Sequence, residues 1–268
     1  MIFRYLYYIL IILFLSCEQD DLIFNNPLDE ENNPDFVEPE TLILNNLNNS
    51  IVTESSFTIS WEGNDAVVEY SYNLNNEGWS EWSNNTSLLV SYLDEGSHSF
   101  KVKSRYINEI EDLTPAEAIF DVNAVDGPGL RIFPLYKTIS FGTDMVSLYL
   151  EEVSNVSFGN IIIDIVPNGC SAISITSIDE GELITGDSIF IYDKDTDQHT
   201  INFGITGGGG ISGTGEIAKI HLNNSNDSNF TCDYEVQLII DVQNSELRDY
   251  QNNEIIILDS ADGVIDDD

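Results

Sequence analysis

The stretch whose composition most resembles chemistry is Gly207 to Gly215, six glycines in nine positions. Within it Gly208-Gly209-Gly210-Ile211-Ser212-Gly213 satisfies G-x-G-x-x-G, the spacing that cradles a dinucleotide pyrophosphate at the N-terminus of a helix. That chemistry needs the helix. After Gly215 the chain reads Glu216-Ile217-Ala218-Lys219-Ile220-His221-Leu222, then Asn223-Asn224; Ala218, Ile220 and Leu222 alternate with Lys219 and His221, the period of a strand. The Gly-Lys-Ser/Thr ending of a P-loop is missing as well. The loop is expected to turn a corner between strands.

The other candidates meet similar tests. Asp193, Asp195 and Asp197 open like a calcium loop, but the sixth place holds Gln198 instead of glycine and the twelfth Gly204 instead of a bidentate Glu. A solvated acidic hairpin is the reading, with a weak surface Ca²⁺ as its alternative and no other cofactor implied. Cys170 and Cys232 are the thiols beyond Cys17. They form either a disulfide, which needs Cα atoms within about 7 Å, or two unpaired core cysteines. His98, His199 and His221 are scattered without H-E-x-x-H or a nucleophile elbow, so neither zinc nor a Ser/Cys triad is supported. With 47 Asp and Glu, pairs at glycosidase spacing arise by chance and carry no weight. The chain reads as non-catalytic. Trp79 and Trp82 are either a sugar-stacking platform or plugs at a sheet edge. Lys101, Lys103 and Arg105 put three of nine basic residues on one strand face, where ladder partners such as Glu69 are expected across the sheet.

The formal net charge of −38 repels phosphate backbones and argues against nucleic-acid binding. It also repels itself, which salt relieves as the Debye length falls from about 10 Å at 0.1 M to about 3 Å at 1 M. Such acidity fits a saline habitat, or the solubility of an exported protein.

The elements that must position these residues begin after an address. Arg4 precedes the apolar run Tyr5 to Leu15, whose length suits a signal-peptide h-region and falls short of the roughly 20 residues that span a bilayer. The run stops at Ser16-Cys17, which resembles a bacterial lipobox with Phe14 where the family usually has Leu; the alternative is an uncleaved anchor helix. The resemblance implies a signal peptide and lipobox over 1–17, with Cys17 lipidated as the first residue of the mature protein. Glu18-Gln19-Asp20-Asp21 resembles the surface-export tags of Bacteroidetes-type lipoproteins. Together these imply an outer-membrane protein at the cell surface, touching the membrane through its lipid alone. Residues 18–40, with Pro27, Pro34 and Pro39 among Asn and acids, read as a disordered tether. Twenty such residues could extend some 60 Å.

From Thr41 the apolar period is two. Phe57, Ile59 and Trp61 alternate with Thr58 and Ser60; Val68, Tyr70, Tyr72 and Leu74 alternate with Glu69, Ser71 and Asn73; His98, Phe100, Val102 and Ser104 alternate with Ser99, Lys101, Lys103 and Arg105. Asp121 to Gly129 reads as a boundary, and strands resume beyond it, among them Ile161-Ile162-Ile163, expected to be covered on both faces. The pattern predicts an all-β chain. Val68 to Tyr106, with Y-x-Y, W-S-x-W and L-x-x-G-x-H-x-F, resembles the triple-tyrosine immunoglobulin-like or fibronectin-III-like module of bacterial surface proteins. Four segments from about Leu130 to Ile265 ("GTDMVSLYLEEVSNVSFGNIIIDIVP", "AISITSIDEGELITGDS", "SGTGEIAKIHL", and Asn253 to Ile265) resemble cohesin modules in order. The resemblances imply an Ig/FN3-like β-sandwich over 41–123, followed by a nine-stranded jelly-roll (cohesin-like) β-sandwich over 128–268, the fold shared with carbohydrate-binding modules. Ile165-Val166-Pro167 replaces the cohesin Tyr-Asp-Pro, which alters the face near Asn160, Ile162 and Asp164 where cohesins meet dockerins.

The expectation is therefore a lipid-anchored binding protein whose partner is a dockerin-like protein or a polysaccharide, in polysaccharide degradation. A purely structural display or adhesion role is the alternative. The tryptophans Trp61, Trp79 and Trp82 all precede the second region, which leaves it without an obvious aromatic row for sugar and favours protein.

Overall fold

The computed structural model describes residues 28–31, 33–168, 172–184, 186–195, 198–225 and 235–267. Every regular element among them is a strand. The leader, Cys17, Cys170, Cys232 and Asp197 lie outside the described residues.

The first region holds β1 (Thr41–Ile43), β2 (Ile51–Val52), β3 (Phe57–Gly63), β4 (Val67–Leu74), β5 (Ser87–Val90), β6 (Gly96–Tyr106) and β7 (Ala116–Val122). They form two sheets, ordered β1-β3-β5 and β2-β7-β6-β4. The alternation in β3 and β6 does what its period requires: Ile59, Trp61, Phe100 and Val102 point inward and are buried, meeting Phe120 from β7. Burial of each such side chain contributes about 1.5–3 kcal/mol. The Trp61 indole donates to Asn85 O at 3.1 Å, so the largest core side chain leaves no polar atom stranded. β4 departs from the expected phase at its start. A register shift between Val67 and Glu69 turns Val67 onto the core and leaves Val68 exposed.

The second region holds β8 (Gly129–Phe133), β9 (Tyr136–Ile139), β10 (Gly142–Asn168), β11 (Ile173–Glu180), β12 (Ser188–Lys194), β13 (Gln198–Ile205), β14 (Ile211–Asn224), β15 (Glu235–Ile240), β16 (Glu246–Asp249), β17 (Glu254–Ile255), β18 (Asp259–Ala261) and β19 (Gly263–Asp267). Most of the architecture follows from β10. Its first half pairs with β8 and β14, and its second half with β13, β15 and β16. Between the halves the register slips at Leu150/Val153 and again at Val153/Val156, with Glu152 (φ 48) and Asn155 (φ 55) in left-handed conformations. The bend carries one strand from one layer into the other. Both halves turn apolar side chains to a shared interior, Leu148, Leu150, Val156, Ile161 and Ile163 meeting Ile201, Phe203, Ile220, Leu222 and Leu238, the core of the sandwich.

Among the described residues, the loop from Tyr92 to Glu95 joins the first region to the second and to the segment between them. Tyr92 stacks on Tyr136 with ring centroids 5.7 Å apart. The Leu135 N–H donates to Asp94 Oδ1 at 2.8 Å, and Ala124 and Val125 N–H both donate to Glu95 Oε1 at 2.7 and 2.9 Å. At the other end, the described part of the acidic N-terminal segment lies against the first sandwich where a free tether was expected. Tyr106 Oη donates to Val37 O at 2.8 Å, Asn64 Nδ2 to Glu38 O at 2.8 Å and Asn108 Nδ2 to Leu28 O at 2.9 Å, while Phe36 sits edge-on to Tyr106. Composition cannot reveal these bonds, because their acceptors are backbone carbonyls that every residue carries.

Candidate functional site

Antiparallel pairing sets side chains opposite one another on the same face, so the register of β12, β13, β10 and β16 defines the outer surface row by row. One row runs Ile189, Gly204, Phe158, Arg248 and Glu254; the next runs Ile191, Asn202, Asn160 and Glu246; a third runs Asp193, Thr200 and Ile162; Gln198 and Asp164 begin a fourth. Asn160, Ile162 and Asp164, singled out from the cohesin resemblance, thus share one face. Ile162 is half-buried, not covered on both sides as expected, because no further layer of the described chain lies over it.

The polar centre of this face is internally satisfied. Asn160 Nδ2 donates to Asn202 Oδ1 at 2.7 Å, Gln198 Nε2 donates to Asp164 Oδ1 at 3.1 Å, and Arg248 pairs with Glu246. Its apolar members are left in solvent: Ile189 is 56% and Ile191 55% exposed, and Phe158 40%. Ile189 and Phe158 stand on the two strands flanking β13, about 10 Å apart, and Gly204 between them has no side chain. The result is an exposed apolar set, Ile189 and Ile191 on one side of β13 and Phe158 on the other, beside the polar Asn160–Asn202 centre. Sequence reasoning missed Ile189, Ile191 and Phe158. The signal was available in Ile189-Phe190-Ile191-Tyr192, apolar at every position: Phe190 and Tyr192 pack on the core, and the period of two then turns Ile189 and Ile191 to solvent.

The remaining candidates fall elsewhere. Trp79 is exposed and Trp82 half-buried, and both rings lie against cations of β6. Lys103 Nζ lies 4.9 Å from the Trp79 ring centroid and 5.0 Å from that of Trp82, and Arg105 Cζ stands 4.5 Å from Trp82. Indole and cation alternate, so these rings already serve as partners inside the protein. The expected pairing of Arg105 with Glu69 is present at 2.6 Å, and Lys101 and Lys103 meet Glu117 and Glu111. Asp193 and Lys194 lie in the β12–β13 ladder, opposite Thr200 and His199, and Asp195 N–H donates to Gln198 O at 3.0 Å. No group of three or more His, Cys, Asp or Glu among the described residues is placed to hold a metal. The histidines have local partners: His98 contacts Asn75 and Asp94 O, His199 contacts Tyr192 Oη at 2.7 Å, and His221 contacts Asp179 at 2.9 Å.

Strand β14 begins at Ile211, inside the glycine stretch, and continues past Gly215 where a cradle would need a helix. It seats the bend of β10: Asn155 N–H donates to Ser212 Oγ at 2.9 Å, Glu152 N–H to Thr214 Oγ1 at 3.0 Å, and Thr214 Oγ1 in turn to Glu151 Oε2 at 2.9 Å. Glu151 also pairs with buried Arg131, which lies 4.3 Å from the Tyr149 ring centroid. A Cβ on Gly210 would come within 2.3 Å of the Asn155 carbonyl carbon. The corner reading holds.

No family model matches the chain, and no curated protein matches it. Among solved structures, it is similar to a non-cellulosomal cohesin from the hyperthermophilic archaeon Archaeoglobus fulgidus at 16% identity, with a TM-score of 0.43, covering 52% of this chain and 90% of that one. A cohesin–dockerin complex from Clostridium thermocellum matches at 15% identity and TM-score 0.43, covering 55% and 97%. The sixth cohesin of Acetivibrio cellulolyticus scaffoldin B, in complex with the Cel5 dockerin, matches at 18% and 0.41, covering 53% and 100%. Identities this low and TM-scores below 0.5 do not assign the chain to a family.

Proposed function

We propose that the chain is a lipid-anchored, non-catalytic binding protein of the bacterial surface, whose second sandwich takes a protein partner of dockerin type on the β12-β13-β10-β16 face. The supporting observation is the juxtaposition there of exposed Ile189, Ile191 and Phe158 with the satisfied Asn160–Asn202 centre. An apolar patch with a polar middle suits a folded protein surface. A polysaccharide is the weaker fit, because sugar stacking needs flat exposed rings, this face offers Phe158 alone, and Trp79 and Trp82 are engaged with Lys103 and Arg105. The first sandwich serves as a spacer.

The test is a binding screen of the chain against dockerin-type proteins carrying duplicated calcium loops from the same organism, alongside a glycan array. Capture of such a protein by the wild type and its loss in Ile191→Asp supports the reading. Glycan binding that survives Ile191→Asp and vanishes in Trp79→Ala refutes it.

A further inference from the structure

We infer that the partner on this face is cationic: a protein surface presenting lysines and arginines around a small apolar ridge. The inference rests on the β12-β13-β10-β16 face being the binding site. Around these apolar side chains stand Asp164, Asp193, Glu246 and Glu254. Asp241 and Asp249 cap the two ends of β16, where their carboxylates hold Asn244 and Asn253. The cation within the face, Arg248, pairs with Glu246 and gives a further bond to Asn252 O at 2.9 Å. Lys194, next in sequence to Asp193, sends its ammonium to Ile175 O at 2.9 Å. The acids outnumber the cations around the apolar side chains, and each of those cations already has an acceptor in the chain.

Charge then sorts the possible occupants. A second copy of this chain would bring its own acidic rim and a net charge of −38 against this one, so self-association is opposed. An acidic partner meets the same penalty. A basic partner is steered in by the long-range field and can pair with Asp164 and Asp193 at the edges while its apolar ridge packs against Ile189, Ile191 and Phe158. Association should accordingly be salt-sensitive, while the apolar contact gives the complex its residence time.

The probes are two 14-residue amphipathic peptides, identical in their apolar positions and carrying Lys in one and Glu in the other, titrated into the isotope-labelled chain while backbone amide shifts are followed. The Lys peptide should move amides of Ser188–Asp193, Thr200–Gly204 and Phe158–Asp164, and should weaken on the order of tenfold between 0.1 and 1 M NaCl. Asp164→Asn combined with Asp193→Asn should weaken it several-fold without changing the urea midpoint, and Ile191→Ser should abolish the shifts on the face. Equal response to both peptides, or no effect of the Asp variants, overturns the charge inference and leaves the face standing. Lys-peptide shifts scattered over the acidic surface also overturn it. If neither peptide moves the face, the binding-site reading itself fails.

Discussion

Lys103 shows how much one side chain can organise. Its ammonium lies over two indoles and reaches Glu111 at 2.5 Å, adding a side-chain fastening to the backbone bonds by which Ser80 and Ser83 hold the irregular Trp79–Trp82 stretch to β4. Cation–π contacts contribute about 0.5–2 kcal/mol depending on desolvation, and Lys103 makes two. Lys103→Met is expected to cost about 1–2 kcal/mol in urea denaturation and to shift the tryptophan emission, whereas Lys103→Arg should keep most of both. A variant as stable as the wild type would mean the stack is ornamental. Asp94 is a different case, a carboxylate at the junction of the sandwiches. Burial is the largest influence on it and pushes its pKa above the ordinary value of 3.8; the Leu135 N–H and the charges of Arg131 and His98 pull partly back. The folded chain therefore holds the Asp94 proton more tightly than the unfolded chain. Its contribution to stability falls as pH rises from about 3.8 through the higher folded value, then stays level. The difference in urea midpoint between wild type and Asp94→Asn should follow that course, and a difference of the opposite slope would contradict the desolvation argument.

Elements explain why the glycine run exists. The bend that takes β10 from one layer to the other needs a neighbour close enough for Thr214 and Ser212 to receive the N–H groups of Glu152 and Asn155; Gly210 permits that approach, while Gly207, Gly208 and Gly213 take positive φ. The loop's glycines are consequently unequal. Gly209 has open space and no unusual φ, so Gly209→Ala should be neutral or slightly stabilising through the unfolded chain. Gly210→Ala places a methyl on the Asn155 backbone and should cost about 1–3 kcal/mol by thermal melt. Equal tolerance at both positions would show that the loop does not seat the bend. The period-two pattern made strands such as β3, β6 and β14 legible, because each buries one face and period two allows a single reading. The absence of a helix after Gly215 was legible for the same reason. The face was only partly so: Asn160, Ile162 and Asp164 came from resemblance, while Ile189 and Phe158 became neighbours only through pairing across β13, a long-range register that local periodicity does not encode. The docking of Val37 and Glu38 on Tyr106 and Asn64 was illegible, since it runs through carbonyls common to every residue.

At the scale of the whole molecule the deciding quantity is charge. With 47 acids against 9 Lys and Arg, the nine basic residues cannot neutralise the surface, and the ion pairs on β6 use three of them locally. Two sandwiches held together by a loop that itself carries Asp94 and Glu95 must fold against that repulsion, so screening should stabilise the chain. Raising NaCl from 0.1 to 1 M is expected to raise Tm by several degrees, since about 1 kcal/mol corresponds to roughly 2–4 °C in a chain of this size. The shape of the curve separates screening from a general salting effect. Screening follows the Debye length, which shortens most steeply at low salt, so most of the gain should appear below about 0.5 M; a preferential-exclusion effect grows steadily with concentration. A linear rise across the range, or a fall, would mean that the acidic surface is not what limits stability. Glu95→Ala removes the acceptor for the Ala124 and Val125 N–H groups together with one like charge. Combined with Tyr92→Ala, which ends the stacking on Tyr136, it should let the two sandwiches tumble with separate correlation times in amide relaxation, whereas the wild type should show one. High salt should not restore the single value in the double variant, because screening relieves repulsion but rebuilds neither the hydrogen bonds nor the stacked rings.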